Sequence, residues 1–96
     1  MWKNTLIVLV PDHLGAYPRP VENPLEGHTI PLILIGGAVK EPRVVETYAS
    51  QIDIAATLLS QLGLPHDDFT FSKNIFNPAS PHFGYFTEPT LFGMVT

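Results

Sequence analysis

Two continuous apolar runs stand out in the first half of the chain. The first covers residues 5–10 and ends at Pro11, and the second covers residues 30–35 and is closed by Gly36 and Gly37. Apolar runs without polar alternation are typical of strands covered on both faces, as in the centre of an α/β sheet. We therefore predict two buried strands, with the proline-rich stretch after Pro11 as the loop between them.

The clearest helical pattern covers residues 51–62. Ser50 is a good N-cap, and Asp53, three residues later, is the acidic partner of a capping box. Gly63 followed by Pro65 provides a stop signal. One main helix is predicted, and its apolar face consists of Ile52, Ala55, Ala56, Leu59 and Leu62.

The C-terminal third is rich in aromatic and turn residues. Residues 83–87 and 91–95 read as short strands joined through Glu88-Pro89-Thr90, which predicts a β-hairpin. The fold class is therefore α/β, a small sheet with one main helix and a C-terminal hairpin, in a single domain over residues 1–96. Seven aromatic side chains are predicted to belong mostly to the core: Phe69, Phe71, Phe76, Phe83, Tyr85, Phe86 and Phe92.

Composition limits the possible partners. Only 15% of the 96 residues are charged and the net charge is −4, whereas an average domain has about 25% charged residues. The basic residues are scattered, so no basic stripe is available to neutralise phosphates and no nucleic-acid partner is expected. The low charge indicates surface that contacts other protein. The basic residues are Lys3, Arg19, Lys40, Arg43 and Lys73.

The absence of cysteine excludes disulfides, thiolate metal sites and a cysteine nucleophile in these residues. The longest apolar stretch, residues 30–39, is about half of the roughly 20 residues that a membrane helix needs. The residues after Met1 also lack the pattern of a secretory signal peptide. The sequence predicts neither a membrane span nor an export signal within these residues.

The most informative polar feature is the pair Asp12-His13, which follows the first predicted strand. Ligands of open α/β sheets bind at the carboxyl ends of strands. A carboxylate beside an imidazole offers oxygen and nitrogen donors to a divalent cation such as zinc or manganese. The alternative from the residues alone is that Asp12 binds loop amides while His13 faces solvent.

Three segments, in this order, resemble the C-terminal part of sulfatases of the alkaline phosphatase superfamily. The sub-branch that they resemble most is that of the lipoteichoic-acid-synthase or phosphoglycerol-transferase-like sulfatases, and the likeness covers about residues 4–93. The aromatic tail is similar to the ends of such chains. The segments are Ile7-Val-Leu-Val-Pro-Asp-His13, His28-Thr-Ile-Pro-Leu-Ile-Leu-Ile-Gly-Gly37 and Ser50-Gln-Ile-Asp-Ile-Ala-Ala-Thr-Leu-Leu59.

The resemblance implies a fragment of an alkaline-phosphatase-like sandwich and gives roles to three residues. Asp12 and His13 match the Asp-His metal ligands of the family, which hold one divalent cation (manganese, magnesium, zinc or calcium). His28 corresponds to a contact with the substrate anion or with a metal ligand. The glycine that usually follows Asp-His is Leu14 here, and Gly15 comes one position later, which implies a re-routed loop.

The resemblance also implies that the whole enzyme acts on sulfate or phosphate esters and that its nucleophile, a threonine or a formylglycine, lies in a preceding portion. The chain alone is then inactive, and its partners are the rest of the catalytic domain and further copies of itself. Relatives of this branch have membrane helices upstream and an extracytoplasmic catalytic domain. Two other functions remain open: a non-catalytic interaction module, and a small metal-binding protein using Asp12, His13 and His28.

Overall fold

The structure is a computed structural model, and it describes residues 1–15 and 23–96. These residues form a small α/β structure with two antiparallel two-stranded sheets and one main helix. The chain divides into two compact units, unit 1 over Met1–Val44 and unit 2 over Val45–Thr96. The single-domain interpretation stays a prediction. The elements are a 3₁₀ turn Trp2–Asn4, β1 Ile7–Leu9, α1 Pro24–Gly27, β2 Ile33–Ile35, α2 Asp53–Gln61, β3 Gly84–Glu88 and β4 Leu91–Val95.

The sheet of unit 1 is the antiparallel pair β1–β2, with Val8 opposite Leu34. These two side chains are half-buried, whereas the outer positions of both strands are 37–48% exposed. The prediction that both strands are buried is therefore wrong for the described structure. Continuous apolar composition fits a strand with cover on both faces, but within residues 1–15 and 23–96 each of these strands has one neighbouring strand. None of the described residues of unit 1 is buried.

The end of β2 is held by close contact between its backbone and the backbone of residues 2–5, and not by buried side chains. Gly36 has φ +128°, and a Cβ at this position would overlap the carbonyl group of Thr5. The Gly37 amide donates to the Trp2 carbonyl at 3.1 Å, and a Cβ on Gly37 would overlap the backbone of Lys3. The two glycines therefore end the strand, as predicted, and they also allow the N-terminal turn to lie against it.

A single helical turn, α1, lies in a stretch that the sequence pattern predicted as loop. Asn23 caps it, since its side-chain oxygen accepts from the Leu25 amide at 3.0 Å, and Pro24 occupies the first helical position. Both choices are typical of helix starts. The rest of the predicted loop lies partly in residues 16–22, outside the described residues.

Helix α2 confirms the main predicted helix but begins later, at Asp53. The Asp53 carboxylate accepts from the Ser50 amide at 2.9 Å, as a capping box requires. The Ser50 hydroxyl, in contrast, does not cap the helix but accepts from the Tyr85 amide at 2.9 Å. Gly63, with φ +69°, ends the helix as predicted. Ala56 is buried, whereas Ile52 and Leu62 at the ends of the predicted apolar face are exposed.

A buried carboxylate lies at the centre of unit 2. Asp53 is 1% exposed, and the Lys73 ammonium lies 2.9 and 3.0 Å from its two oxygens. The Lys73 backbone amide also donates to Asp53 at 2.9 Å. Lys73 Nζ further lies 4.0 Å from the centre of the Phe83 ring, a cation–π contact. The carboxylate and the ammonium group thus have further partners besides each other, which a buried ion pair needs to offset the loss of hydration.

Two hydroxyl groups complete the attachment of segment 72–75 to α2. The Thr57 hydroxyl donates to the Asp53 carbonyl at 2.6 Å and accepts from the Ile75 amide at 2.9 Å. The Ser72 hydroxyl accepts from the Ala56 amide at 2.8 Å, in the first turns of the helix. Hydrogen bonds therefore fix the position of this segment on the helix, and every buried donor or acceptor involved has a partner.

The C-terminal hairpin confirms the predicted strands to within one residue. Tyr85 lies opposite Met94 and Thr87 opposite Phe92, and residues 89–90 form the turn. The Phe86 ring covers Gly93 so closely that a Cβ there would overlap it. The prediction of an aromatic core is wrong in part, because four of its seven members are 49–81% exposed. These four are Phe69, Phe71, Tyr85 and Phe92.

Candidate metal-binding site

Asp12 and His13 lie in a bend three residues after the end of β1. Their side chains are 88% and 74% exposed. The strand and Pro11 thus bring both groups to the surface of unit 1, where they can reorient towards an ion. This position agrees with the predicted location of the pair at the carboxyl end of the first strand.

The geometry of the pair suits two ligands of one cation. The Asp12 Oδ2 and His13 Nε2 atoms lie 3.6 Å apart. Two ligands bound at the usual 2.0–2.2 Å around a tetrahedral ion lie about 3.4 Å apart, so a small rotation of either side chain is sufficient. The other carboxylate oxygen, Oδ1, accepts from the His13 amide at 2.8 Å, which is the loop-amide contact that the sequence also allowed.

The loop after the pair contains the displaced glycine. Gly15 has φ +83°, a left-handed backbone conformation that glycine adopts without a steric penalty. Leu14, which occupies the usual glycine position, is exposed. The left-handed residue thus lies one position later than the resemblance implies, where the sequence provides a glycine.

His28 belongs to a different local structure, at the C-terminal end of α1. Its Nδ1 lies 2.7 Å from the carbonyl oxygen of Pro24, and only a protonated nitrogen can donate to that acceptor. The backbone amide of His28 donates to the Leu25 carbonyl at 3.2 Å. The turn α1 therefore orients the imidazole ring, and His28 as a whole is exposed to solvent.

The structure does not bring the three predicted site residues together as a complete metal site. Within residues 1–15 and 23–96, no group of three or more His, Cys, Asp or Glu side chains is arranged to hold an ion. Protein metal sites of the structural or catalytic kind use three or four such ligands. Asp12 and His13 alone therefore amount to two candidate ligands, fewer than such a site needs.

Unit 2 has two further features that the sequence reasoning did not identify. The Asp53–Lys73 pair is inaccessible to a substrate, because the carboxylate is buried and already accepts four hydrogen bonds from three donor groups. The one sequence feature that hints at this ion pair is Lys73, which is the only lysine or arginine in the aromatic and turn-rich C-terminal segment. An open groove of about 490 Å³ lies beside the start of α2, and its lining includes none of Asp12, His13 and His28.

Comparison with known families identifies the chain. The model of the sulfatase family matches residues 1–64, two thirds of the chain, and the chain belongs to this family. Enzymes of the family generally use a divalent metal ion. The match includes β1, the Asp12-His13 pair, β2 and α2, and it ends before segment 72–75 and the hairpin. No curated protein and no solved structure matches the chain significantly.

In the described part of the chain, none of the helices has the length and apolar character required to cross a bilayer.

Proposed function

We propose that this chain is the C-terminal portion of a metal-dependent sulfatase-type catalytic domain, built as an alkaline-phosphatase-like sandwich, and that it supplies Asp12 and His13 to the metal site. The observation that supports this most is the family match, which includes an exposed Asp-His pair a few residues after a strand. The ester acted on is a sulfate or phosphate ester. The order of the motifs points to the lipoteichoic-acid-synthase or phosphoglycerol-transferase-like branch, with an extracytoplasmic catalytic domain.

The chemistry of the pair suits a ligand role. A bound divalent ion would polarise the ester and activate the nucleophile. Asp12 contributes an anionic oxygen, and His13 contributes an imidazole nitrogen that must be deprotonated to bind. Because a metal site needs more ligands than these two, the remaining ligands and the nucleophile belong to the preceding portion of the catalytic domain. The chain alone is therefore inactive.

His28 acts on the substrate side of this proposal. The bond from Nδ1 to the Pro24 carbonyl fixes the orientation of the ring on α1. A fixed imidazole can donate a hydrogen bond to an anionic ester oxygen, and when protonated it adds a favourable charge. We therefore assign it a contact with the sulfate or phosphate group.

The rest of the catalytic domain is the partner that this proposal requires. One face of the β1–β2 sheet carries the exposed side chains of Ile7, Leu9, Ile33 and Ile35, the other face is half-buried, and unit 1 has no buried residue among those described. Contiguous exposed apolar surface of this kind marks a protein interface. Covering both faces with further strands and helices would give β1 and β2 the environment that their composition favours.

Manganese titration of the isotope-labelled chain tests the ligand role. Mn²⁺ broadens the amide signals of nearby residues, so we expect selective loss of the Asp12 and His13 signals at roughly millimolar metal, as two ligands bind weakly. Asp12→Asn should abolish this broadening. Asp68→Asn, which changes an exposed aspartate of unit 2, is the matched control and should leave it unchanged.

Three results would contradict the proposal. Broadening that spares Asp12 and His13, or that disappears in Asp68→Asn instead, would place the cation elsewhere. Metal-dependent hydrolysis of an aryl sulfate or a phosphodiester by the chain alone would contradict the claim that the nucleophile lies in another portion. Tight, stoichiometric binding with His28 among the broadened residues would support the independent metal-binding protein instead.

A further inference from the structure

The outward face of the C-terminal hairpin is apolar and aromatic. The register places Tyr85 and Met94 opposite each other on this face, next to the pair Thr87 and Phe92. Phe92 is 76% exposed and Met94 is 60% exposed. The Tyr85 and Phe92 rings lie 6.4 Å apart at an angle of 37°, so they form one continuous patch.

The two edges of the hairpin differ. A two-residue turn makes the flanking pair, Glu88 and Leu91, hydrogen-bonded, and bonded pairs then alternate along the ladder. By this alternation the backbone groups of Tyr85 and of Phe92 point away from the partner strand. On β3 the Tyr85 amide is bound by the Ser50 hydroxyl. On β4 no hydrogen bond from residues 1–15 or 23–96 reaches the backbone of Phe92 or Met94.

The β4 edge also lacks the features that prevent an exposed strand from pairing with a strand of another chain. Proteins usually protect an exposed edge with charged residues, proline or a bulge. The β4 sequence, Leu91–Val95, contains no charge and no proline, and its register with β3 is regular over five pairs. Such an edge is a template for pairing with another extended strand.

We propose that β4 pairs antiparallel with β4 of a second copy of this chain, about a two-fold axis at Gly93. In this register Phe92 faces Met94 of the partner subunit, and these two residues are the ones whose backbone groups point outward. The bonded pairs therefore fall where donors and acceptors are available. Gly93, at the axis, has no side chain to obstruct the closest approach of the two strands.

The edge of β4 and the side chains beside it are complementary to a second copy of themselves, which is why we propose a second copy of this chain as the partner. A thioether against an aromatic ring is a favourable contact, and the two-fold axis creates it twice. The pairing brings no like charges together, since β4 is uncharged. Edge-to-edge pairing covers the outward backbone groups and only part of the neighbouring side chains, so the interface is small and only a weak dimer, with a dissociation constant in about the micromolar range, is expected.

Sedimentation equilibrium tests the dimer and its register together. Phe92→Lys and Met94→Glu should each weaken dimerisation at least about tenfold, because a charge is buried against an apolar partner. An equimolar mixture of the two variants should recover most of the affinity. In the mixed dimer one contact is an ion pair and the other is the original Phe92–Met94 contact. Phe71→Lys, at another exposed phenylalanine of unit 2, is the control and should dimerise like the unmodified chain.

Amide exchange gives a second readout that does not depend on mass. Protection of the Phe92 and Met94 amides should rise with protein concentration, whereas protection of the Phe86 amide should not. A chain that stays monomeric to about millimolar concentration, well above the expected constant, would overturn the proposal. So would a dimer that survives both substitutions, because the interface would then lie elsewhere, for example on the β1–β2 sheet. The inference is independent of the proposed function, since it involves unit 2 alone.

Discussion

Both units of this protein expose apolar side chains, but they differ in what they bury. Unit 1 exposes Ile7, Leu9, Ile33 and Ile35 of β1 and β2, and none of its described residues is buried. In unit 2, in contrast, the buried side chains include a carboxylate, Asp53, and a hydroxyl, Thr57. Unit 2 thus uses directed hydrogen bonds to fix its segments, whereas unit 1 presents apolar surface that no described residue covers.

The difference shows that a side chain in this protein is buried where a suitable group or surface lies next to it, whether the side chain is polar or apolar. Asp53 tolerates burial because each of its oxygens accepts from an ammonium group and from a backbone amide. Leu9 and Ile33 are exposed although their strands are entirely apolar. Hydrophobic burial has no direction and needs only a neighbouring surface, whereas burial of a charge needs specific donors in place.

The largest effect expected within this comparison is that of Asp53→Ala. It leaves the Lys73 ammonium, whose side chain is 17% exposed, without its partner. Removing one member of a buried pair costs about 3–5 kcal/mol, so the free energy of unfolding of unit 2 should fall by that amount and the far-UV helical signal of α2 should weaken. Asp68→Ala, at an exposed aspartate of unit 2, should change stability by less than about 0.5 kcal/mol.

If Asp53→Ala were no more destabilising than Asp68→Ala, the ion pair would not hold α2 against segment 72–75. The contrast between the two units would then disappear.

An intermediate effect is expected at Thr57. Thr57→Val keeps the shape of the side chain but removes the acceptor of the Ile75 amide. A buried donor left without a partner costs about 1–3 kcal/mol. Urea unfolding followed by circular dichroism measures this loss. Thr57→Ser retains the hydroxyl and should recover most of it; a serine variant as unstable as the valine variant would mean that the methyl group, and not the hydrogen bond, is important.

The smallest effect is expected in unit 1. Leu9→Thr changes a side chain that is 48% exposed, so stability of the isolated chain should change by less than about 0.5 kcal/mol. The matched change Val8→Thr, on the half-buried face of the same strand, should cost more, about 1 kcal/mol. The fluorescence of Trp2, the only tryptophan, reports on unit 1 in both variants. Equal losses would mean that both faces of β1 are covered in the isolated chain.

Much of the local structure could be predicted from the sequence. The hairpin strands, the stop at Gly63 and the main helix follow from alternation, turn residues and helical spacing, which are local properties. The Asp12-His13 pair could be identified as a candidate site for the same reason, because two adjacent residues after a strand need no tertiary information. The roles assigned to them remain predictions of the proposal.

Other features depend on contacts between residues that are distant in sequence. Ser50 has the residue type and position of an N-cap, yet its hydroxyl binds the Tyr85 amide, thirty-five residues away. Ser72 binds an amide in the first turns of α2 from sixteen residues away. No periodicity identifies Lys73 as the partner of Asp53, since the pair is created when segment 72–75 packs on the helix.

The sequence by itself determined where the main helix and the C-terminal hairpin form and placed an Asp-His pair after the first strand, since backbone preference and hydrophobic spacing act over a few residues. The tertiary structure decided which side chains are buried. It put a carboxylate, an alanine and a threonine inside unit 2 and left the apolar strands of unit 1 exposed. Burial depends on the surfaces that meet in three dimensions. The strands β1 and β2 have the composition of strands with cover on both faces, but in the part of the chain that the structure describes they pair only with each other.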